Sequence, residues 1–185
     1  MKKQIVALLA FVAAAVCLQA QTLTDGTLYF LRGENEINAT FAYERCHFNQ
    51  KTEDAFVTEM CVANGENWKS VWAKSVKPQI EKTFISTFND ITFKDMNLAV
   101  GRYPKATYTM QVVLQRINST GHVRGTITFV ENRTGDVVAK MQFSTDGKGN
   151  KKDVVDGFMR SLTTGATASA KFVVKNSKRP AVVYE

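Results

Sequence analysis

Residues 108–143 read YTMQVVLQRINSTGHVRGTITFVENRTGDVVAKMQF, and the alternation inside this stretch decides the fold. Tyr108, Met110, Val112 and Leu114 alternate with Thr109, Gln111 and Gln115; Val123, Ile127 and Phe129 alternate with Arg124, Thr126 and Thr128; Val137, Ala139, Met141 and Phe143 are set against Lys140 and Gln142. A period of two sends successive side chains to opposite faces, so each run predicts a strand with one apolar face. The connections Asn118-Ser119-Thr120-Gly121 and Asn132-Arg133-Thr134-Gly135 are short, and each puts glycine where a tight turn needs positive φ. Three consecutive antiparallel hairpin strands are therefore expected.

Upstream, Ile37, Ala39, Phe41 and Tyr43 alternate with Asn38, Thr40 and Glu44 and predict a further strand. A shorter strand is expected around Ile91 and Phe93, and an edge strand at 28–31. Helical spacing marks Trp68, Val71, Trp72, Val76, Ile80, Phe84 and Phe88 as one apolar stripe and Val155, Phe158, Leu162, Ala166, Ser169 and Val173 as another. Pro78 lacks a backbone donor and should kink the first helix or open a new segment. Thr52 can cap a short helix reaching Met60, with Glu53 and Asp54 suited to its first turn. A sheet with one apolar face needs a cover. The predicted fold is an α+β two-layer sandwich, a mainly antiparallel sheet of four to five strands covered by two amphipathic helices.

The N-terminus reads as an export signal. Lys2 and Lys3 precede an apolar run from Ile5 to Leu18, which ends in Gln19-Ala20-Gln21, the charged start, short apolar middle and small-residue exit of a secretory leader. The run is short for a membrane span, which takes about 20 apolar residues. The expected division is a signal peptide over 1–20, a single domain over 21–175 and a loosely held tail over 176–185. Cys17 sits where a lipid-modified cysteine would sit, but Val16 stands where bacterial lipoprotein signals want a small residue. The expected location is thus periplasmic or secreted, with lipid anchoring through Cys17 the lesser expectation. Loss of Lys2 and Lys3 takes the basic residues from 24 to 22 against 17 acidic ones, leaving +5. That balance favours anionic surroundings such as envelope polymers or lipid head groups, and export argues against nucleic acid as a partner.

Two cysteines remain, Cys46 and Cys61. In an oxidising compartment an isolated pair predicts a disulfide, which would contribute about 3 kcal/mol for a loop of this length. With only His47 and His122 available, a zinc site lacks ligands, and no cofactor is expected. Cys46 and His47 are adjacent, so on a strand they point to opposite faces and share a proton poorly. His122 reads as an exposed turn histidine. Gly147-Lys148-Gly149 completes neither a P-loop nor a dinucleotide loop. Lys148, Lys151 and Lys152 could face an anion, although cations oppose the dipole at a helix start. Glu34 with Glu36 and Asp153 with Asp156 read as solvated surface or helix caps. Trp68 and Trp72 share the face of Val71 and Val76 and read as core. Asn-x-Ser/Thr sequons stand at Asn38, Asn118 and Asn132.

The leader ending Leu-Gln-Ala-Gln, the run Asn67-Trp68-Lys69-Ser70-Val71-Trp72, Phe88-Asn89 and Tyr103-Pro104-Lys105-Ala106-Thr107-Tyr108 together resemble small exported proteins of Bacteroidetes bacteria, which implies export and no particular activity. The second half, with its Ala-Thr-Tyr-Thr-Met strand, Asn-Arg-Thr-Gly-Asp-Val-Val-Ala-Lys turn and final small-residue helix, is more loosely similar to periplasmic adaptor domains of curli-secretion lipoproteins and of lipoprotein activators of penicillin-binding proteins. That similarity implies an adaptor role in the envelope. The leading expectation is a non-catalytic envelope protein that binds a protein or an envelope polymer through a sheet edge or exposed face. A carrier with an apolar helix–sheet pocket and a hydrolase using scattered carboxylates or His122 are the alternatives.

Overall fold

The computed structural model describes residues 20–147, 149, 150 and 152–178; the expected leader with Cys17, Lys148, Lys151 and the tail from Arg179 onward lie outside the described residues. In chain order the elements are β1 (Ala20–Gly26), a 3-10 turn (Tyr29–Leu31), β2 (Glu36–Ala42), β3 (His47–Phe48), β4 (Lys51–Thr52) and α1 (Glu53–Asn64). A helical turn (Trp68–Val71) and a π-helical turn (Trp72–Val76) then lead into α2 (Lys77–Met96), followed by β5 (Ala99–Gly101), β6 (Tyr108–Ile117), β7 (His122–Glu131), β8 (Val137–Asp146) and α3 (Val154–Asn176). The α+β class is as expected, but the sheet has eight strands, not four to five.

The strand order is β1-β8-β7-β6-β2-β5, with β3 beside the far end of β6 and β4 beside β3. The hairpins β6–β7–β8 are antiparallel. The sheet as a whole is mixed, because β2 runs parallel to both β6 and β5. Parallel neighbours need a long crossover, and the helices between β2 and β5 supply it. β1 pairs antiparallel with β8 and forms one edge.

Three expectations fail locally. The stretch 28–31 is no strand: Leu28 and Leu31 are both buried, an i to i+3 spacing that a 3-10 turn satisfies and a strand does not. Ile91 and Phe93 lie inside α2, since Phe88 and Thr92 are buried one turn apart on the same helix. Val137 is 51% exposed, because the register shift between Phe129 and Val130 leaves Val138 as an extra residue and turns Val137 outward.

The core forms where the helices meet one sheet face. Met110, Val112 and Leu114 from β6, Ile127 and Phe129 from β7, and Met141 and Phe143 from β8 are all buried. Against them α2 sets Ile80, Phe84 and Phe88, and α3 sets Phe158, Leu162, Ala166 and Val173. Buried positions recur every four residues from Trp72 to Thr92, a spacing that drifts about 40° per step on a helix of 3.6 residues per turn. The π-helical turn widens the helix at Trp72–Val76, so that Trp72 and Val76 stay inward while Val71, expected in the stripe, is 44% exposed. Pro78 sits in the first turn of α2, where its missing N–H is tolerated.

One end of the core is aromatic. Phe48 lies 4.8 Å from Trp72, 5.8 Å from Phe56 and 5.9 Å from Phe158, ring centre to ring centre. These contacts tie the two-residue strand β3 to α1, the π-helical turn and α3, each pair contributing about 0.5–1.5 kcal/mol beyond area burial. Phe48→Ala is expected to destabilise the fold by about 3–5 kcal/mol in urea unfolding. A loss below about 1 kcal/mol would mean that β3 is not held by this cluster.

Candidate functional site

The helices cover one sheet face; the other carries the polar half of each alternation. Register places Thr22, Gln142, Thr126, Val113 and Ala42 in one row across β1, β8, β7, β6 and β2. The next row is Lys140, Thr128, Gln111 and Thr40. Thr22, Thr40, Gln111, Lys140 and Gln142 are exposed. Hydroxyls, amides and an ammonium thus line an open surface.

At one end of this surface the charge concentrates. A register shift between Leu114 and Arg116 makes Gln115 an extra residue in β6. Strict alternation would send Arg116 to the core face with Leu114. The bulge instead brings Arg116 opposite Arg124, and both are exposed. On its other side Arg116 pairs with His47 of β3, while Arg124 pairs with Ser144 of β8. A row His47, Arg116, Arg124, Ser144 therefore crosses four strands at about 4.8 Å per step. Next to it His122 pairs across to Asp146, with His122 Nδ1 against Asp146 Oδ1. Among the described residues neither Arg116 nor Arg124 lies within ion-pair distance of a carboxylate. Like charges directly opposite on a sheet cost about 0.2–1 kcal/mol, so this arrangement disfavours the free fold and favours a bound anion.

Both histidines thus reach the same end of the open face. His47 faces outward while its neighbour Cys46 is buried, which separates thiol from imidazole as the alternation predicts. Arg116 is the residue that alternation alone misses. Its one sequence sign is the consecutive polar pair Gln115-Arg116 at the end of an apolar strand.

The other candidates are structural. Asp153 caps α3, its Oδ1 accepting from the Asp156 backbone 3.0 Å away, and Asp156 accepts from Asn150 and Arg160, which hold its carboxyl below the usual range. Glu34 is half-buried and Glu36 exposed at the start of β2. Gly147 and Gly149 pack against the β6–β7 turn, where a Cβ on Gly149 would lie 1.9 Å from the Ser119 carbonyl; these two glycines serve a packing contact. Of the sequons, Asn118 is 7% exposed, and Asn38 and Asn132 are joined through Thr109 Oγ1, which accepts from one amide and donates to the other. Trp72 is core, and its indole donates to Glu53 at 2.7 Å. Lys77 donates to the same carboxylate at 2.8 Å and lies 4.6 Å from the centre of the Tyr43 ring. Tyr43 is held neutral by burial and by Glu81. Among the described residues no group of three or more His, Cys, Asp or Glu could hold a metal ion, and no helix is long and apolar enough to cross a membrane.

The two cysteines expected to pair are both free thiols here, Cys46 buried at the start of β3 and Cys61 half-buried on α1. Cys61 Sγ donates to the Glu66 carbonyl, 3.9 Å away, just beyond the end of α1. Burial first, and the Glu53 carboxylate second, push the Cys46 thiol up to about 12. The raised value favours the neutral thiol in the fold, so stability is full below the ordinary value of 9.0 and falls as pH rises from there toward 12. In the native protein at pH 8 iodoacetamide is expected to alkylate Cys61 first and to leave Cys46 unmodified until denaturant is added. Equal rates at both thiols by peptide mass spectrometry would contradict this placement.

No family model and no curated protein matches the chain. Similar solved structures include two PelC dodecamers from Paraburkholderia phytofirmans. A variant in space group C2 is 15% identical, with a TM-score of 0.46 over 88% of this chain and 100% of that one. The other, in space group P6, is 16% identical with a TM-score of 0.43 over 88% and 100%. A protein of the family model DUF330 from Xanthomonas campestris is 17% identical with a TM-score of 0.35, over 54% of this chain and 61% of that one. Likenesses of this size assign no function to the chain.

Proposed function

We propose that this chain is an exported, non-catalytic cell-envelope protein that binds an acidic envelope polymer across the open face of its sheet. The observation that carries the reading is the row His47, Arg116, Arg124, in which two exposed arginines stand opposite each other with no carboxylate within ion-pair distance among the described residues. An arginine binds a carboxylate through two parallel N–H donors, and the exposed amide of Gln142 one row along the same face, with Gln111 and Thr40 a row further, matches the hydroxyls of a sugar chain. The open face, extended over several strands, suits a polymer better than a small molecule, which calls for a concave pocket. The basic balance expected after leader removal points the same way. Export rests on the charged, apolar and small-residue grammar of positions 1–20, and the resemblance to small exported proteins agrees with it.

The carrier alternative draws on the aromatic residues, but these fill the core against one another: Phe84 stacks on Phe88 at 6.0 Å and tilts on Phe143 at 5.9 Å. The hydrolase alternative draws on His122, which Asp146 contacts at Nδ1 as an orienting carboxylate would; among the described residues no hydroxyl or thiol is hydrogen-bonded to its ring, so a nucleophile is missing.

Polygalacturonate, a carboxylate polymer, tests the reading, with dextran as the neutral control. Affinity electrophoresis at low salt is expected to retard the protein with polygalacturonate and not with dextran. The double variant Arg116→Gln, Arg124→Gln should bind at least about 10-fold more weakly while unfolding at equal or higher urea, because the facing like charges are gone. Undiminished binding by the double variant would refute the site.

A further inference from the structure

A second surface lies at the opposite edge of the sheet from β1. β5 is the last strand in the order, and the Ala99 N–H donates inward to Asn35, so the backbone of Val100 points away from the sheet. Its N–H and C=O are not left to water. Val100 N–H donates to Asn89 Oδ1 at 2.6 Å, and Asn89 Nδ2 donates to the Val100 carbonyl at 2.7 Å. One side-chain amide thus takes both bonds of one edge residue. That is the two-bond exchange by which a residue of an antiparallel strand pairs with its neighbour.

Open clefts flank this amide on both sides. One, of about 420 Å³, has Ile85, Lys82 and Arg102 in its wall; the other, of about 360 Å³, has Phe93, Asp90 and Lys94. Ile85, Asn89 and Phe93 follow one another at four-residue intervals on α2, a rise of about 6 Å per step. Side chains on one face of an extended chain repeat at about 6.6 Å. The helix therefore presents an apolar position, an amide and an apolar position in near register with residues i, i+2 and i+4 of a strand laid along β5. Phe93 is 59% exposed, more than its ring would be in a covered groove. The rim carries Lys82, Lys94 and Arg102 against Glu81, which accepts from the Tyr43 hydroxyl, and Asp90, so cations outnumber carboxylates.

We propose that the groove between β5 and α2 receives an extended segment of a partner protein, which adds as an antiparallel strand on Val100 in place of the Asn89 amide. The segment carries apolar residues at alternate positions, for the Ile85 and Phe93 ends, and a net negative charge for the lysine and arginine rim. Main-chain bonds supply affinity and the alternate side chains supply specificity, as in strand addition generally. The three-residue length of β5 and its occupied edge explain why the edge does not pair indiscriminately. This inference is independent of the polymer reading, which uses the open sheet face over β3, β6, β7 and β8 and not the backbone edge of β5.

A displayed library of random nine-residue peptides selected on the full chain tests the proposal. Enriched peptides are expected to be acidic with alternating apolar residues. They should protect the Val100 amide from hydrogen exchange, bind Asn89→Ala at least five-fold more tightly because no amide must be displaced, and lose at least ten-fold on Phe93→Lys, a change at an exposed residue that leaves the core intact. Their binding should be unchanged in the Arg116→Gln, Arg124→Gln variant and in the presence of polygalacturonate. Failure to enrich any peptide, or enriched peptides that bind Phe93→Lys as well as the native chain and leave Val100 unprotected, would overturn it.

Discussion

The sheet can bury only the face on which Val112, Ile127 and Met141 lie, and α2 with α3 must reach that face closely enough to exclude water. Close approach is what the composition of α3 provides. Gly165 lies over Val123, where an added Cβ would come within 2.7 Å of the valine side chain, and Ala166, Ser169 and Ala170 are fully buried around it. Larger side chains there would hold the helix off the sheet and open voids under Phe143 and Phe158, each missing methylene costing about 1 kcal/mol. Gly125 has the same role on the sheet side, with Phe143 and the Val113 carbonyl each 2.7 Å from where its Cβ would be.

Once the helices occupy that face, the polar residues of the alternation go to the other, Thr145 opposite Val123 excepted. Much of the open face follows from the core and needs no functional explanation: threonine and glutamine are simply what an exposed strand tolerates. Arg116 is different. It is outward only because of the bulge at Gln115, and it stands opposite Arg124, an arrangement that lowers stability. Conflicts between a local rule and the fold concentrate at functional sites, and this one lies on a surface whose neighbours can bind sugar hydroxyls. Asn89 is the second such position, a polar side chain spent on closing a backbone edge that a short helix extension could have covered.

The hairpins β6, β7 and β8 were legible because their information is local: a period of two, short turns and glycines at positive φ, as at Gly121 and Gly135. The stripes of α2 and α3 were legible for the same reason, as was the Thr52 cap. What failed depends on distant residues. The parallel placement of β2 between β6 and β5 is set by the helical crossover, not by its own alternation. β1 offers one buried-side apolar residue, Leu23, and sits against the expected leader, so it carried no strand signal. Ile91 and Phe93 alternate by two, yet the helix that began at Lys77 continues through them, and Asn97 ends it with a φ of 56°. The candidate site was legible only in pieces. Arg124 faces outward by its own pattern, but its meeting with Arg116 and His47 requires the bulge and the register of three strands.

The proposed function requires the paired guanidiniums of Arg116 and Arg124 to receive carboxylates. The most direct measurement is nuclear magnetic resonance of the arginine Nε–Hε groups during titration with trigalacturonic acid. The account requires the Arg116 and Arg124 signals to shift together and to saturate together, with Gln111 and Gln142 side-chain amides following. Shifts spread evenly over the surface lysines, with those two arginines unmoved, would contradict it.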